Sequence, residues 1–119
     1  MRKSIAYEKA FNFAFEIIKI CKELKDVYKE YDLARQLQKS GTSIGANIAE
    51  ANGAISEADF SNKISIAYKE TLETKYWLDL LLKVGLVEDN KHSTLYNLAD
   101  ELGKILFSIL KTTRLNKNN

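Results

Sequence analysis

From Ala10 the apolar residues advance in alternating steps of four and three through Ala14, Ile17, Cys21 and Leu24 to Tyr28, which keeps them on one side of an α-helix. This row predicts a first helix from Ser4 to Tyr28. After the polar break Lys29-Glu30-Tyr31-Asp32, the row Leu33, Leu37, Ser40, Ile44, Ile48 and Ala51 predicts a second, starting near Tyr31 or Asp32. Asn52-Gly53 reads as its stop, because both residue types tolerate left-handed backbone angles. Ser56-x-x-Asp59 has the form of a capping box and opens a third helix. There Phe60, Ile64, Ala67, Thr71, Thr74, Leu78 and Leu81 keep the spacing until Gly85. Glu88 to Ser93 reads as a polar turn, after which Leu95, Leu98, Leu102, Ile105 and Ile109 mark a fourth helix. No strand-like alternation interrupts these rows, and the chain of 119 residues has no proline, as long helices require. Short turns between amphipathic helices predict an all-α fold, an antiparallel up-down-up-down four-helix bundle. The expected organisation is one domain over residues 1–115 and a frayed polar tail over 116–119.

Two helices carry more apolar residues than one inner stripe can hold. At ~100° per residue, Phe11, Phe15 and Ile18 lie roughly 100° to 160° from Ile17, outside a single bundle seam. On the third helix Ile66, Trp77, Leu80 and Val84 form a second stripe, with Glu70 and Glu73 set among them. Large apolar side chains outside the core usually mark protein contacts, so these seven residues are candidates for a homo-oligomer interface. The alternative is a wide buried face within a monomer. In the second helix, Gly41 and Gly45 share a face despite a helix cost of about 1 kcal/mol each, which predicts close approach by a neighbouring helix. Ser40, Ser43 and Asn47 are expected to bond across that contact or back to their own helix.

Composition narrows the function. Eighteen Lys+Arg against 16 Asp+Glu give a net charge of +2, and 45% apolar with 29% charged residues is ordinary for a soluble globular protein. Disorder and a disulfide scaffold are excluded on these numbers. Distribution matters more than the sum: Lys22, Lys25 and Lys29 follow the apolar stripe on the first helix, and Arg35 and Lys39 point outward from the second. These five cations converge at one end of the bundle, where they could hold nucleic-acid phosphates without base specificity. Glu23, Asp26, Glu30 and Asp32 are interspersed, so a solvated mixed-charge face is the competing reading. No leader-like segment opens the chain and Cys21 has no second thiol to pair with, so a reducing cytoplasm is expected. Apolar runs such as Leu80-Leu81-Leu82 fall far short of the roughly 20 residues of a membrane span.

Candidate chemistry is sparse. A Ser or Thr nucleophile in the 40–43 segment would lack a nearby base, since the sole His92 lies in the expected polar turn. A di-metal bundle would need Glu-x-x-His motifs that Glu50, Glu70 and Glu73 do not complete. No catalytic residue, metal, cofactor or small-molecule substrate is therefore predicted, and Cys21 reads as a small core residue.

Gln36-Leu37, Ser43-Ile44, Asn47-Ile48-Ala49-Glu50, Phe60, Ala67 and Glu70-x-x-Glu73 together resemble the four-helix-bundle proteins encoded in intervening sequences of bacterial 23S ribosomal RNA genes. The resemblance spans nearly the whole chain from the region of Tyr7. It implies an antiparallel four-helix bundle assembling as a ring-like homopentamer, without an established enzymatic activity. A similar bundle serves as the basic accessory protein of diversity-generating retroelements, which works with a reverse transcriptase and nucleic acid, so RNA or another nucleic acid is an implied partner. This chain departs from the family pattern at Ala51, where glycine is common, and at Gln38-Lys39, where consecutive arginines are common. A ring that recruits another protein, without nucleic acid, is the alternative function.

Overall fold

A computed structural model describes residues 4–118, with side chains described for 4–113. It contains α1 (Ile5–Asp26), α2 (Tyr31–Asn52), α3 (Glu57–Lys83) and α4 (Asp89–Asn118). The packed neighbours are α1 with α2, α2 with α3, α3 with α4, and α1 with α4, so successive helices run antiparallel round a four-membered ring. This is the expected up-down-up-down bundle, drawn out to 51 × 23 × 21 Å. The polar end over 116–118 lies within α4, and Asn119 lies outside the described residues.

Helix ends follow local chemistry, with instructive departures from the expected boundaries. Ser4 caps α1 by accepting the Tyr7 backbone N–H at 3.0 Å. The helix stops at Asp26, two residues early, because Lys29 adopts φ 57° and the Glu30 N–H reaches back to the Leu24 carbonyl at 3.0 Å. A non-glycine residue in the left-handed region is uncommon, so no sequence signal marked this turn. Gly53 does end α2, but with φ −105° rather than a left-handed angle, and its N–H bonds the Glu50 carbonyl at 3.2 Å. Ser56 caps α3 through the Asp59 N–H at 3.0 Å, while the Asp59 carboxylate accepts from Ile55 at 3.4 Å, one residue before the position of a full capping box. Gly85 has φ 82° and the Leu86 N–H returns to the Leu81 carbonyl at 2.9 Å, a Schellman stop for α3. The expected polar turn from Glu88 to Ser93 is instead mostly helix, since α4 begins at Asp89. Acidic Glu88 and Asp89 suit the positive end of a helix dipole.

The core is one cluster in which Phe13, Ile17, Leu24, Leu37, Ile44, Leu78, Leu102 and Leu106 are fully buried. Phe13 is inside although it lies off the α1 row read from the sequence, while Tyr28, on that row, is exposed. On α4 the buried face is Leu95, Ala99, Leu102, Leu106 and Leu110, not the expected row through Leu98, Ile105 and Ile109. Choosing the bulkier residue at each step rotated the expected face, because the small Ala99 lies on the buried side of α4.

Gly41 marks the close approach of α1 and α2: a Cβ there would meet Ile17 Cγ2 at 2.9 Å. At Gly45 the same atom would rest at an ordinary 3.5 Å from Ala10, so only Gly41 is sterically required. On the other side of α2, Thr74 Oγ1 lies 2.9 Å from Ser40 Oγ and 2.8 Å from the Glu70 carbonyl, and Ser40 lies 3.3 Å from the Leu37 carbonyl. The two buried hydroxyls satisfy one another and their helix carbonyls, so neither is left unpaired in the α2–α3 seam. Cys21 donates to the Ala34 carbonyl at 3.3 Å, and burial pushes its thiol up to about 11, with Lys25 opposing.

Gly41→Ala is expected to lose about 1–2 kcal/mol in urea denaturation, overpacking against Ile17 outweighing the helix-propensity gain. Gly45→Ala should be neutral or gain up to about 1 kcal/mol, and equal effects at both positions would refute the packing account. A thiol-specific disulfide reagent at about pH 8 should leave Cys21 unmodified in the native protein and label it on unfolding. Rapid native labelling would show that the thiol is not held in the core.

Candidate functional site

Two kinds of surface were expected from sequence, a cationic end and an apolar stripe, and the fold positions both. Lys22 and Lys25 sit in the last turns of α1, Lys29 in the α1–α2 turn and Arg35 near the start of α2, whereas Lys39 lies further along α2, close enough to oppose the raised Glu70 carboxyl at the middle of α3. Carboxylates pair with two of the five. Lys22 pairs with Asp26 at 3.1 Å, Arg35 with Asp32 at 2.8 Å, and Lys29 donates to the Asp26 carbonyl at 2.9 Å. Lys25 and Lys39 have no ion pair among the described residues. Exposed pairs of this kind contribute little stability, and they compensate Lys22 and Arg35 while Lys25, Lys29 and Lys39 keep no carboxylate partner among the described residues.

On the outer side of α1, Phe11 is 61% exposed, Phe15 60% and Ile18 46%. Tyr7 stacks on Phe11 with ring centroids 6.0 Å apart, and Lys19 lies 5.4 Å over the Phe15 ring. Phe15 also lines a groove of about 340 Å³ with Leu98 and Leu102 along the α1–α4 seam, the most loosely packed of the four. The second proposed stripe is placed differently. Ile66, Trp77 and Leu80 are half-buried, with Trp77 packed on the core edge-on to Tyr76, and only Val84 is exposed, at the end of α3. The large apolar residues that α3 does expose are Leu72 and Tyr76, together with Val84.

The motif residues of α2 and α3 form an outer seam. Ser43 Oγ donates to the Lys39 carbonyl at 2.6 Å and Asn47 Nδ2 to the Ser43 carbonyl at 2.8 Å, so both bond back along α2. Glu50 reaches Lys63 of α3 at 3.0 Å. Burial raises the Glu70 carboxyl above the ordinary range, the neighbouring Glu73 raises it further by charge and hydrogen bond, and Lys39 opposes. Among the described residues no group of three or more His, Cys, Asp or Glu is placed to hold a metal ion. No helix is long and apolar enough to cross a membrane among the described residues.

One surface escaped the sequence reading. Between α3 and α4 a groove of about 460 Å³ is lined by Tyr68, Leu72, Lys75, Asp100, Lys104, Phe107 and Lys111. Phe107 is 49% exposed and its ring centroid lies 5.8 Å from that of Tyr68. Asp100 accepts from Lys75 at 2.9 Å and from Lys104 at 3.1 Å. The Lys75 hydrogen bond, then that of Lys104, holds the Asp100 carboxyl below its ordinary range, and Asp100 in turn raises Lys75. Lys75 also lies 4.9 Å over the Tyr96 ring, on which His92 stacks. His92 Nε2 is 2.8 Å from Asp79, so this histidine ties the start of α4 to α3 rather than standing in a turn. The available signal was an absence: after Glu101 the chain holds Lys104, Lys111, Arg114 and Lys117 and no acidic residue.

Comparison with known proteins agrees with this architecture. Among solved structures the chain is similar to a protein of unknown function from the S23 ribosomal protein family of Bacteroides thetaiotaomicron, with 42% identity, a TM-score of 0.89, and coverage of 90% of this chain and 99% of that one. No curated protein matches it. The family model for the 23S rRNA-intervening sequence protein matches residues 2–108, which takes in α1 to α3, α4 as far as Ser108, and the Ser43 to Glu50 string. With that match over most of its length, the chain belongs to the 23S rRNA-intervening sequence protein family.

Proposed function

We propose that this protein is a non-enzymatic, cytoplasmic bundle that associates with copies of itself and, as an assembly, binds RNA. The observation that carries the self-association is the row of Phe11, Phe15 and Ile18, all close to or above half exposed on the outer side of α1. Such a contiguous row of large apolar side chains is unfavourable in water unless another surface covers it. A second copy is the economical cover, because the loosely packed α1–α4 seam beside Phe15 offers a groove in which Phe13, Phe15, Leu98 and Leu102 alternate with Lys9, Asn12, Glu16 and Glu101, a mixed lining suited to a protein face. A contact between unlike surfaces closes into a ring when its rotation permits, and five copies is the number supported by family likeness. RNA as partner is supported by the name of the family and by the surplus of lysine and arginine in the second half of α4. Neither the family description nor the neighbour's names an enzymatic activity, which favours binding as the work done.

Light scattering after size exclusion at tens of micromolar should give a mass about five times 13.6 kDa. Phe11→Glu combined with Phe15→Glu should give a monomer of unchanged helicity, since neither side chain contributes to the core. A wild-type protein that stays monomeric across this range would overturn the assembly reading.

A further inference from the structure

We infer that the α3–α4 groove is where RNA is held, and that it takes an unpaired strand, one base stacking on Phe107 while Lys104 and Lys111 contact phosphates on either side. This rests on RNA being the partner and assigns the contact to a surface away from the five cations of α1 and α2. Three features converge. Phe107 presents a half-exposed ring, braced from behind by Tyr68 at 5.8 Å, and a base needs such a face to stack on. Lys104 and Lys111 lie one on each side of Phe107 along α4, about 10 Å apart at ~1.5 Å rise per residue, so they can engage separate phosphates of a strand following the helix. Three lysines in the groove face one carboxylate, Asp100, and Lys111 has no ion pair among the described residues.

A second copy fits this groove less well. The outer stripe of α1 has Lys19 held by Glu16 and Lys22 by Asp26, so it is close to neutral and offers Lys104 and Lys111 little net opposite charge, whereas a strand offers a phosphate to each. A duplex also fits poorly, because its bases are already stacked and cannot use the Phe107 ring. Charge and aromatic surface together therefore select single-stranded nucleic acid rather than a protein face.

The test is fluorescence anisotropy of the full chain with a labelled oligouridylate and with a hairpin duplex, at several salt concentrations. The oligouridylate should bind more tightly than the duplex. Phe107→Ala should weaken it roughly tenfold, Phe107→Trp should retain binding, and Phe107→Leu should not, because stacking rather than apolar bulk is required. Lys104→Ala with Lys111→Ala should lower the slope of log affinity against log salt by about 1.4, at ~0.7 per lost phosphate contact on a single strand. Failure of the wild-type protein to bind either RNA at low salt would overturn RNA as the partner altogether. Wild-type binding that survives all the groove variants but falls on mutating Lys25 and Lys39 would overturn the groove alone. A drop in oligomer mass for Phe107→Ala would make the groove a contact between copies, and so would also overturn it.

Discussion

The bundle is organised by the thinness of α2 on its inner side. Ser40 and Gly41 let α1 and α3 both approach closely, with Ile17 pressed where a Gly41 Cβ would be and Thr74 bonded to Ser40. Dispersion and burial both favour that close approach, and the hydroxyl pair keeps it from leaving polar groups unsatisfied. The opposite side of the ring is packed differently. The α1–α4 seam is the loosest of the four although α3 and α4 pack closely, and Phe15 and Leu98 flank an open groove there.

Four helices round so narrow a core can each bury about one stripe, and much of the remaining surface is still apolar. Ile5, Phe11, Phe15, Leu72, Tyr76 and Phe107 are all exposed. These residues do not share one environment. On α1 they run in a row, flanked by lysines that are held by neighbouring acids or rings. On α4 Phe107 stands among lysines whose only acidic partner in the groove is Asp100. The physical distinction is charge compensation, since a neutralised apolar row favours a protein cover and an uncompensated cationic one with an aromatic face favours an anion that can stack.

Helix number, order and most of the inner face were legible because heptad-like spacing is a direct consequence of 3.6 residues per turn. Gly85 and Ser56 announced their turns through backbone freedom and side-chain capping. Lys29 did not, because its left-handed angle is imposed by the chain reversal and not by residue type. Phe13 was missed on α1, and the α4 face was turned towards Leu98, because periodicity gives a stripe's spacing but not its angular centre. That centre is set by the neighbouring helices, and small residues such as Ala99 can occupy it. The five cations and the acids interspersed among them were visible in the sequence, but that Lys22 and Arg35 would be the two to pair, with Asp26 and Asp32, was decided by rotamers and local geometry. The α3–α4 groove was invisible for a different reason: Tyr68 and Phe107 are 39 positions apart, and only the packing of their helices joins them.

Assembly and the groove bear on one another through multiplicity. A single groove with two or three phosphate contacts is weak at physiological salt, because each contact releases few counterions. Copies arranged round a closed ring present the same groove at fixed spacing, so a strand held at one subunit meets the next at high effective concentration. The gain depends on the groove staying uncovered when copies associate, which is met if contact runs through the α1 stripe and the α1–α4 seam. α1 and α3 lie across the bundle from each other and do not pack together, so the exposed apolar row and the Tyr68 side of the cationic groove belong to different faces. On the proposed reading, that separation assigns one face of the small bundle to its own copies and another to an anionic strand.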